Sequence, residues 1–544
     1  MKKSIFRFKY LLFCVVFLGF AEGVKADKGT IWKSLPIQHE GRVKPFDTFS
    51  RETLRTVYGK ESFQKRDAVD VILSWLIIPD YWETTPFIQI EQGDLKKSLG
   101  LKQTAKRFSP RELKTNQKFI LQIGELQSLR QKEADLDSYF KNLEKVEIRL
   151  RLYESVKSSW LLRLLPKEGQ SQWLAPFEMD KKSLKKFQNI LNSYVDLISK
   201  DFREKEKSIE NLKNSMEEFK QFAFGKNKNN WYQERKIKLE IFYNQLKPFQ
   251  VATFFYLLFL LFVSVLSFTK RWSLMKWLLP LVGFGFLSHS LGLFLRSYIM
   301  SRPPVSNMYE TVVWVPWVAL VVGFIFYLKK SQLVFIASVI LACFCLFLVN
   351  TAPHILDSRL QPLEAVLRSS FWLSTHVLII TMSYSFFFLA FVLGDMGLID
   401  FIFRKKNKLD FIKKNSLTIY RCIQWGVILL AAGTILGGIW ADYSWGRFWG
   451  WDPKESWALI SLLGYLALLH GRFVGWIRDL SLFISAVLMF FLVVMAWYGV
   501  NFILGKGLHS YGFGSGGWEY VLGFFTLHII FCGIAAFQNF KSSH

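Results

Sequence analysis

Cysteine is scarce in this sequence. The five cysteines among 544 residues all lie in or beside apolar stretches, at Cys14, Cys343, Cys345, Cys422 and Cys532. They form no Cys-x-x-Cys pair, no zinc-binding spacing and no disulfide framework. We therefore expect no thiol–disulfide chemistry in this chain. Any thiols that its function requires belong to a partner or a substrate.

The sequence also lacks the pattern of a nucleic-acid-binding protein, although its formal net charge is +26. Much of the Lys and Arg lies in short loops between apolar runs, where basic residues mark the cytoplasmic side of a membrane. The remaining charges stand in mixed-sign stretches without interleaved aromatic residues. We expect a lipid bilayer around this chain and no nucleic-acid partner.

The chain is rich in long runs of apolar residues. Hydrophobic residues make up 51% of it and aromatic residues 17%, with the apolar residues concentrated in the second half and the charges in the first. This division predicts an all-α polytopic membrane protein with a polar domain ahead of the membrane domain. The predicted domains are residues 27–248 and 249–544.

The first 26 residues have the order of an export signal. Lys2, Lys3, Arg7 and Lys9 precede a short apolar run, and Val24-Lys25-Ala26 puts small residues at the last and third-last positions. An uncleaved anchor is the alternative. Either would place residues 27–248 on the outer face of the membrane.

The exported domain is expected to be mostly helical. Apolar residues recur at helical spacing among Lys and Glu over Leu136–Val156 and Lys181–Phe222. The segment Leu35–Ser50 mixes turn residues with apolar ones, and Arg51–Tyr58 is expected to continue it as a helix. His39 is expected to be exposed.

About nine membrane-spanning helices are predicted, each having about the 17 to 25 residues needed to cross the hydrocarbon core. The spans are Val251–Phe268, Trp277–Tyr298, Thr311–Leu328, Leu333–Thr351, Trp372–Leu393, Cys422–Trp440, Ser456–Phe473, Ser481–Leu504 and Tyr520–Phe537. When the spans alternate, the basic loops fall on one side, which the positive-inside rule makes the cytoplasm. Loops 299–310, 352–371, 441–455 and 505–519 then face outward, across a bacterial inner membrane.

One outward loop, within residues 440–457, is rich in tryptophan. It contains Trp445, Trp449, Trp451 and Trp457 together with Arg447, Asp452 and Glu455. An interfacial aromatic belt is the simpler explanation of a tryptophan near a bilayer, but it does not account for four of them with Gly and Asp-Pro-Lys-Glu in one loop. The segment Trp445–Trp457 resembles the tryptophan-rich "WWD" motif of haem-handling cytochrome c assembly proteins.

Four histidines are candidate haem ligands. His376, near the outer end of its span, and His509, in the last outward loop, flank the tryptophan loop in the chain and form a candidate axial pair for haem iron. His289 and His470 lie within spans, where a histidine is costly; a neighbouring hydroxyl that satisfies each is the alternative. His354 and His528 are more easily structural.

Arginines near the outward loops have two interpretations. Arg447, for example, could pair with a haem propionate or with lipid phosphate. Asp452 and Glu455 are expected chiefly to cap the helix that starts near Ser456.

Taken together, residues of about 250–540 are similar to the CcsA/ResC family of cytochrome c biogenesis proteins, the membrane haem component of the two-protein (System II) cytochrome c synthetase. The similarity rests on Arg302–Glu310, Leu360–His376, the tryptophan motif and the order of the histidines. The resemblance implies that His376 and His509 ligate haem b at the attachment site. It further implies that His470 belongs to an embedded pair, whose second member is His289 or a residue of the partner protein.

The resemblance also implies a function and partners. The chain would carry haem across the membrane and present it for thioether attachment to the Cys-x-x-Cys-His of apocytochrome c, as the haem-binding subunit of a synthetase. A CcsB/ResB-type membrane partner and a separate thiol reductant protein are expected. Two alternatives remain open: a haem exporter or chaperone that makes no thioether, and an unrelated transporter without a cofactor.

Overall fold

The computed structural model describes residues 30–134, 136–167, 169–199, 205–225, 230–353, 355–363, 369–404, 409–504 and 517–543. The predicted export signal, His354 and His509 lie outside these residues. The chain divides into two compact units between Gln245 and Leu246. Most of the described residues are helical, and eight of the helices are candidate membrane spans. The prediction of an all-α polytopic membrane protein is confirmed.

The N-terminal unit contains eleven helices and three two-stranded antiparallel sheets within its described residues. The helices are α1 Thr30–Lys33, α2 Phe46–Tyr58, α3 Ala68–Ile77, α4 Pro79–Thr84, α5 Gly93–Ser98, α6 Pro110–Lys114, α7 Gln117–Gln131, α8 Ser138–Lys157, α9 Lys181–Ser199, α10 Lys205–Phe224 and α11 Asn230–Leu246. The sheets pair β1 Pro36–His39 with β2 Arg42–Pro45, β3 Ser62–Phe63 with β4 Arg66–Asp67, and β5 Ile88–Gln89 with β6 Arg107–Phe108. A single 3₁₀ turn, Pro176–Glu178, precedes α9.

An aromatic core holds the N-terminal unit together. Trp75 of α3 lies 5.2 Å from Tyr153 of α8 and 5.3 Å from Phe87, ring centre to ring centre, and all three side chains are buried. Large buried rings supply much apolar area for few ordered residues. These rings pack α3 against α8.

The segment ahead of α2 differs from its prediction. Residues 36–45 form the β1–β2 hairpin, in which His39 pairs with Arg42 across a two-residue turn. Both turn residues, Glu40 at φ 49° and Gly41 at φ 75°, have left-handed backbones, as a tight hairpin turn requires. The following helix begins at Phe46, five residues before the predicted start.

The C-terminal unit is a helical bundle. Its helices are α12 Pro248–Thr269, α13 Leu279–Met300, α14 Met308–Leu328, α15 Gln332–Thr351, α16 Ser370–Trp372, α17 Leu378–Phe403, α18 Asp410–Trp445, α19 Pro453–Phe473, α20 Asp479–Val494, α21 Val500–Phe502 and α22 Trp518–Ser543. Two π-helical turns, Leu373–Val377 and Met495–Gly499, interrupt this series, and a 3₁₀ turn, Trp272–Trp277, links α12 to α13.

Eight helices of the described residues are long and apolar enough to cross a membrane. The one predicted span outside these eight, Ser456–Phe473, corresponds to α19, which has 21 residues. Its sequence includes His470, Arg472 and the polar first turn Pro453–Ser456, so it is less apolar than the other eight. The protein is therefore a multi-span membrane protein, and the crossing of α19 remains a prediction.

Small residues allow the bundle helices to pack closely. A Cβ on Gly426 of α18 would lie 2.5 Å from the ring of Phe387 on α17, and that ring stacks at 3.8 Å on Tyr465 of α19. Without a hydrophobic driving force between helices in lipid, such close backbone approach is a principal source of stability. The same close approach of α17 and α18 positions the candidate site.

Candidate functional site

A cavity of about 230 Å³ lies at the end of the bundle where α18 stops and α19 starts. Its wall comes from five stretches of the chain: the loop before α14 with the first turn of α14, the π-turn before α17 with the first turns of α17, the end of α18 with the loop after it, the start of α19, and the π-turn after α20 with α21. Sequence-distant segments thus converge here. We call it the tryptophan cavity, because Trp440, Trp445, Trp449 and Trp497 all line it.

His376 is the imidazole in the wall of this cavity. Its Nδ1 lies 2.8 Å from the carbonyl oxygen of Gly433 on α18, and its ring meets Trp440 edge-on at 5.8 Å. Because a carbonyl only accepts, Nδ1 carries the proton and donates it. This tautomer leaves the lone pair on Nε2, as metal-ligating histidines require.

Two features of the local chain bring His376 to this place. It stands in the π-turn Leu373–Val377, and single π-turns inside helices are frequent at functional sites. Across from it, a Cβ added to Gly437 would lie 2.6 Å from His376 Cε1. Glycine at 437 therefore allows α18 to approach the imidazole closely enough for Gly433 to accept its hydrogen bond.

The tryptophan loop splits into residues that line the cavity and residues that do not. Trp445 and Trp449 line it together with Phe448, whereas Trp451 and Trp457 are not among its lining residues. Trp451 is 72% exposed and has a left-handed backbone, φ 58°, a strained conformation for a bulky residue. The loop is thus not a single flat platform.

Asp452 and Glu455 cap α19. Asp452 Oδ1 accepts from the backbone N–H groups of Lys454 and Glu455, each at 3.0 Å, and Glu455 Oε2 accepts from the N–H groups of Gly450 at 2.6 Å and Asp452 at 3.4 Å. This reciprocal arrangement is a capping box. The predicted capping role of both carboxylates is confirmed, with the helix beginning at Pro453.

Arg447 contacts two residues of the cavity wall, Glu455 and Trp445. Its Nη1 lies 3.8 Å from Glu455 Oε1, and its guanidinium carbon lies 5.8 Å from the ring centre of Trp445. It is not among the residues that line the cavity. Lys454, which no sequence pattern singled out, does line it; its place beside the helix cap is the signal that could have indicated it.

A buried ion pair fixes the loop that forms another part of the wall. Arg296 Nη2 donates to Glu310 Oε1 at 2.8 Å, with 1% and 2% of the two side chains exposed. Arg296 Nη1 also donates to the carbonyl of Ser358 at 2.9 Å, while the N–H and hydroxyl of Ser306 donate to Glu310 Oε2. Ser306 lines the cavity, so the pair holds this wall in position.

The remaining candidate histidines lie elsewhere. His289 on α13 is fully buried; its Nε2 lies 2.9 Å from the carbonyl oxygen of Val313, and the Tyr256 hydroxyl lies 3.4 Å from Nδ1. His470 is exposed on α19, and its Nδ1 donates to Leu466 at 2.8 Å. The structure does not bring these two together, because α13 packs on α12 and α14 whereas α19 packs on α18 and α20.

Two more histidines have protein partners that the sequence did not reveal. His528 Nε2 lies 3.4 Å from Asp395 Oδ2 across α22 and α17. His39, expected to be exposed, is half-buried, and its Nδ1 lies 3.4 Å from Lys44 Nζ. Lys44 also donates to Glu52 at 2.6 Å and Glu40 at 3.2 Å. The buried ammonium of Lys44 thus occupies the space that these two carboxylates and the imidazole surround.

Comparison with known proteins gives the family. The family model "Cytochrome C assembly protein" matches residues 305–509, which include His376 and the tryptophan loop. The chain is 34% identical over 238 residues to the protein named "Cytochrome c biogenesis protein CcsA" of Guillardia theta, covering 76% of it and 38% of this chain. The CcsA of Prochlorococcus marinus strain MIT 9215 is 31% identical over 306 residues, which are 96% of it and 50% of this chain.

The chain belongs to the CcsA family of cytochrome c biogenesis proteins. A longer relative extends the similarity into the N-terminal unit: "Protein NrfI" of Wolinella succinogenes is 31% identical over 505 residues, 87% of this chain. The match covers only 53% of NrfI, so this chain spans about half the length of that relative. The CcsA-like region itself lies in the C-terminal unit.

A porphyrin fits the residues of the tryptophan cavity. His376 offers an Nε2 lone pair, and the walls are mostly apolar and aromatic. Among the described residues, Trp449 and Trp497 each have a buried indole N–H without a hydrogen-bond partner. Both line the cavity. A ligand with oxygen atoms at its edge could accept hydrogen bonds from these N–H groups and so remove the free-energy cost of burying them unpaired.

Proposed function

We propose that this protein presents haem on the outer face of the membrane for covalent attachment to apocytochrome c. The observation that carries the proposal is His376, held by Gly433 in the Nε2-ligating tautomer within a cavity walled by tryptophans. His509, predicted as the second axial ligand, lies outside the described residues. Haem is the substrate here, passed on to the client rather than retained.

The size of the cavity favours presentation over storage. Its volume of about 230 Å³ is below the roughly 300–1,000 Å³ of pockets that bury most of a small ligand. A porphyrin held at His376 would therefore keep one edge outside the wall. Attachment needs this exposure, because the two thiols of Cys-x-x-Cys-His add across the haem vinyl groups, each sulfur bonding to carbon while its hydrogen goes to the other vinyl carbon.

The protein contributes position more than acid–base chemistry to this reaction. Binding the iron at a fixed imidazole and the ring between aromatic side chains turns an encounter of client and haem into an oriented approach. The apocytochrome's own histidine would then displace one axial ligand. A separate thiol reductant protein would keep the client cysteines reduced.

Delivery of haem through the membrane would involve a partner. His470 is exposed on α19, so in the bilayer it can face another membrane protein, and His289 is engaged by Tyr256 and Val313. We propose that a CcsB/ResB-type partner supplies the second embedded ligand opposite His470. The alternative, in which His289 moves out of its hydrogen bonds to ligate, remains a prediction of the sequence.

The first experiment is co-expression of the full chain with such a partner and an apocytochrome c, followed by purification in detergent. We expect reduced absorption bands of six-coordinate haem in the wild type and haem on the cytochrome that survives denaturation. His376→Ala should lose both. A wild-type protein that carries no haem under haem-replete conditions would contradict the proposal.

The second candidate function, a haem exporter or chaperone, makes a different prediction in the same experiment. Haem would be bound and lost in His376→Ala as before, but all haem recovered with the cytochrome would be released by denaturation. The tryptophan motif is compatible with both functions, and the thioether is the observable that separates them.

A further inference from the structure

Helix α14 contains a proline, Pro316, shortly after the residues with which this helix lines the tryptophan cavity, Met308 and Thr311. Proline has no N–H to donate to the carbonyl of Val312 four residues earlier, and its ring clashes with that carbonyl, so it bends a helix. In a membrane span, backbone oxygens loosened in this way need donors from neighbouring helices, because no water reaches them. A donor from another helix is therefore expected beside this proline.

His289 of α13 is such a donor. Its Nε2 lies 2.9 Å from the carbonyl oxygen of Val313, the residue after Val312, and the His289 and Val313 side chains are fully buried. Because a carbonyl only accepts, Nε2 carries the proton, and Nδ1 is left to accept from the Tyr256 hydroxyl at 3.4 Å. Both ring nitrogens are thus engaged, and the imidazole joins α12, α13 and α14 beside the bend.

Other contacts from α13 hold α14 on both sides of the proline. Arg296, seven residues after His289 and so on the same face of α13, pairs with Glu310 in the first turn of α14 at 2.8 Å. Beyond the proline, Trp317 Nε1 donates to Ser290 Oγ at 2.8 Å. The two arms of the bent helix are therefore tied to α13, and His289 contacts the backbone between them.

We propose that His289 is a positioning residue, which holds the proline bend of α14 and thereby places Met308 and Thr311 in the wall of the tryptophan cavity. The consequence for haem rests on the proposed function. The bend sets the direction of the first two turns of α14 relative to the rest of that helix, so loosening it would move this wall with respect to His376. His289 then has no part in binding iron, because both of its ring nitrogens serve the helices, and the second embedded ligand is left to the partner.

The test compares two replacements of similar size, His289→Gln and His289→Leu, in the full chain purified with its membrane partner. Glutamine keeps an N–H donor but is not among the usual axial ligands of haem iron, whereas leucine keeps only apolar volume. We expect His289→Gln to retain the wild-type haem spectrum and Tm. His289→Leu should shift the haem bands and lower the Tm by about 2 °C or more, because the Val313 carbonyl loses its buried donor. Loss of haem in both variants would overturn the proposal and make His289 an iron ligand.

Pro316→Ala supplies the second comparison. The N–H of alanine can bond to the Val312 carbonyl, and a straight helix satisfies its own backbone without an outside donor. The difference in Tm between His289→Gln and His289→Leu should therefore disappear in this background. An undiminished difference would show that the two positions act independently and would overturn the role of His289 at the bend.

Ser288→Ala is the matched control. The Ser288 hydroxyl donates to the carbonyl of Pro248 on α12 at 2.8 Å, so this variant removes a similar bond that does not involve α14. Its effect on Tm should be the same with and without Pro316→Ala; coupling as strong as that of His289→Leu would overturn the specific role of His289. Because Tm is measured on the haem-free protein, it tests the bend even if the wild type binds no haem, a result that would count against the proposed function alone.

Discussion

Each unit of this protein buries an arginine–glutamate pair, and the two pairs serve different ends. In the N-terminal unit, Arg42 of β2 donates both Nη atoms to Glu240 of α11, at 2.8 and 2.7 Å. In the C-terminal unit, Arg296 of α13 meets Glu310 of α14 at 2.8 Å. Both glutamates are about 2% exposed.

The surroundings of the two pairs make the difference. Glu240 also accepts from Thr48, and Asn244, one turn further along α11, donates to Asp47 and Thr48, so this pair ties a helix to the rest of its unit. Glu310 instead accepts from Ser306 and shares Arg296 with the carbonyl of Ser358, so its pair ties two loops beside the tryptophan cavity. A buried arginine–glutamate pair thus holds a helix onto its unit in the N-terminal unit, and in the C-terminal unit it positions a wall of the tryptophan cavity.

The largest effect is expected for Glu310→Ala. Removing one partner of a fully buried pair leaves a buried charge, at a cost of about 3–5 kcal/mol. We expect the variant to lose thermal stability in detergent and, because Ser306 loses its acceptor, to lose haem binding as well. Retention of wild-type haem binding by stably folded Glu310→Ala would show that the pair does not shape the cavity.

Glu240→Ala tests the other half of the comparison. Arg42 is 10% exposed, so water can partly solvate its charge, and we expect a cost near the lower end of the range, about 3 kcal/mol. Proteolysis at α11 should become faster while haem binding per folded molecule stays at the wild-type level. A loss of haem binding equal to that of Glu310→Ala would erase the distinction between the two pairs.

Gly437→Ala should have a smaller and more local effect. The added methyl group would lie 2.6 Å from His376 Cε1, and such overpacking costs about 1–3 kcal/mol. We expect weakened haem binding and a shifted spectrum with little change in expression. Gly283→Ala is the matched control, because a Cβ there has no neighbouring atom within 4 Å; the same spectral shift in both variants would exclude a role for Gly437 in placing His376.

The smallest expected effect concerns Asp67, which caps α3 and lies 3.0 Å from Lys33. Burial alone would raise the pKa of its carboxyl, but the Val69 N–H and Lys33 outweigh burial, and the pKa is lowered. The charged carboxylate of Asp67 therefore contributes to the free energy of unfolding at pH values above its pKa in the unfolded chain. This contribution is lost as the pH falls through its lower pKa in the folded protein. Asn caps a helix about as well as Asp, so Asp67→Asn removes chiefly the charge beside Lys33, at a cost of about 1 kcal/mol at pH 7. Hydrogen exchange of α3 should show this difference shrinking below about pH 4; a constant difference would contradict the charge-based role.

Sequence patterns located the helices of the membrane unit well because apolar length is a one-dimensional property. The span expected at Leu333–Thr351 is the helix Gln332–Thr351, and the capping by Asp452 and Glu455 could also be predicted because both residues act within one turn. The hairpin at Pro36–Pro45 was missed because only four residues form each strand. The alternation of apolar and polar positions is too short there to stand out.

The site was predictable only in part. Sequence indicated His376 and the tryptophan loop separately, and the structure joins them in one cavity with Trp445 and Trp449. The sequence could not indicate Trp497 or Lys454, since helix periodicity shows which face of a helix a residue lies on but not which neighbouring segment that face meets. The same limit explains why His289 and His470, both within predicted spans, lie on helices with different packing partners.

The two π-turns that border the cavity suggest how such a site can change during evolution. Each contains one more residue per turn than the α-helix around it, and one residue of an α-helix corresponds to a rotation of about 100°. Deleting a residue from Leu373–Val377 would therefore swing His376 away while α17 kept its register with α18. During evolution, insertion or deletion of one residue at either turn could therefore change the wall of the tryptophan cavity without changing how the helices of the bundle pack.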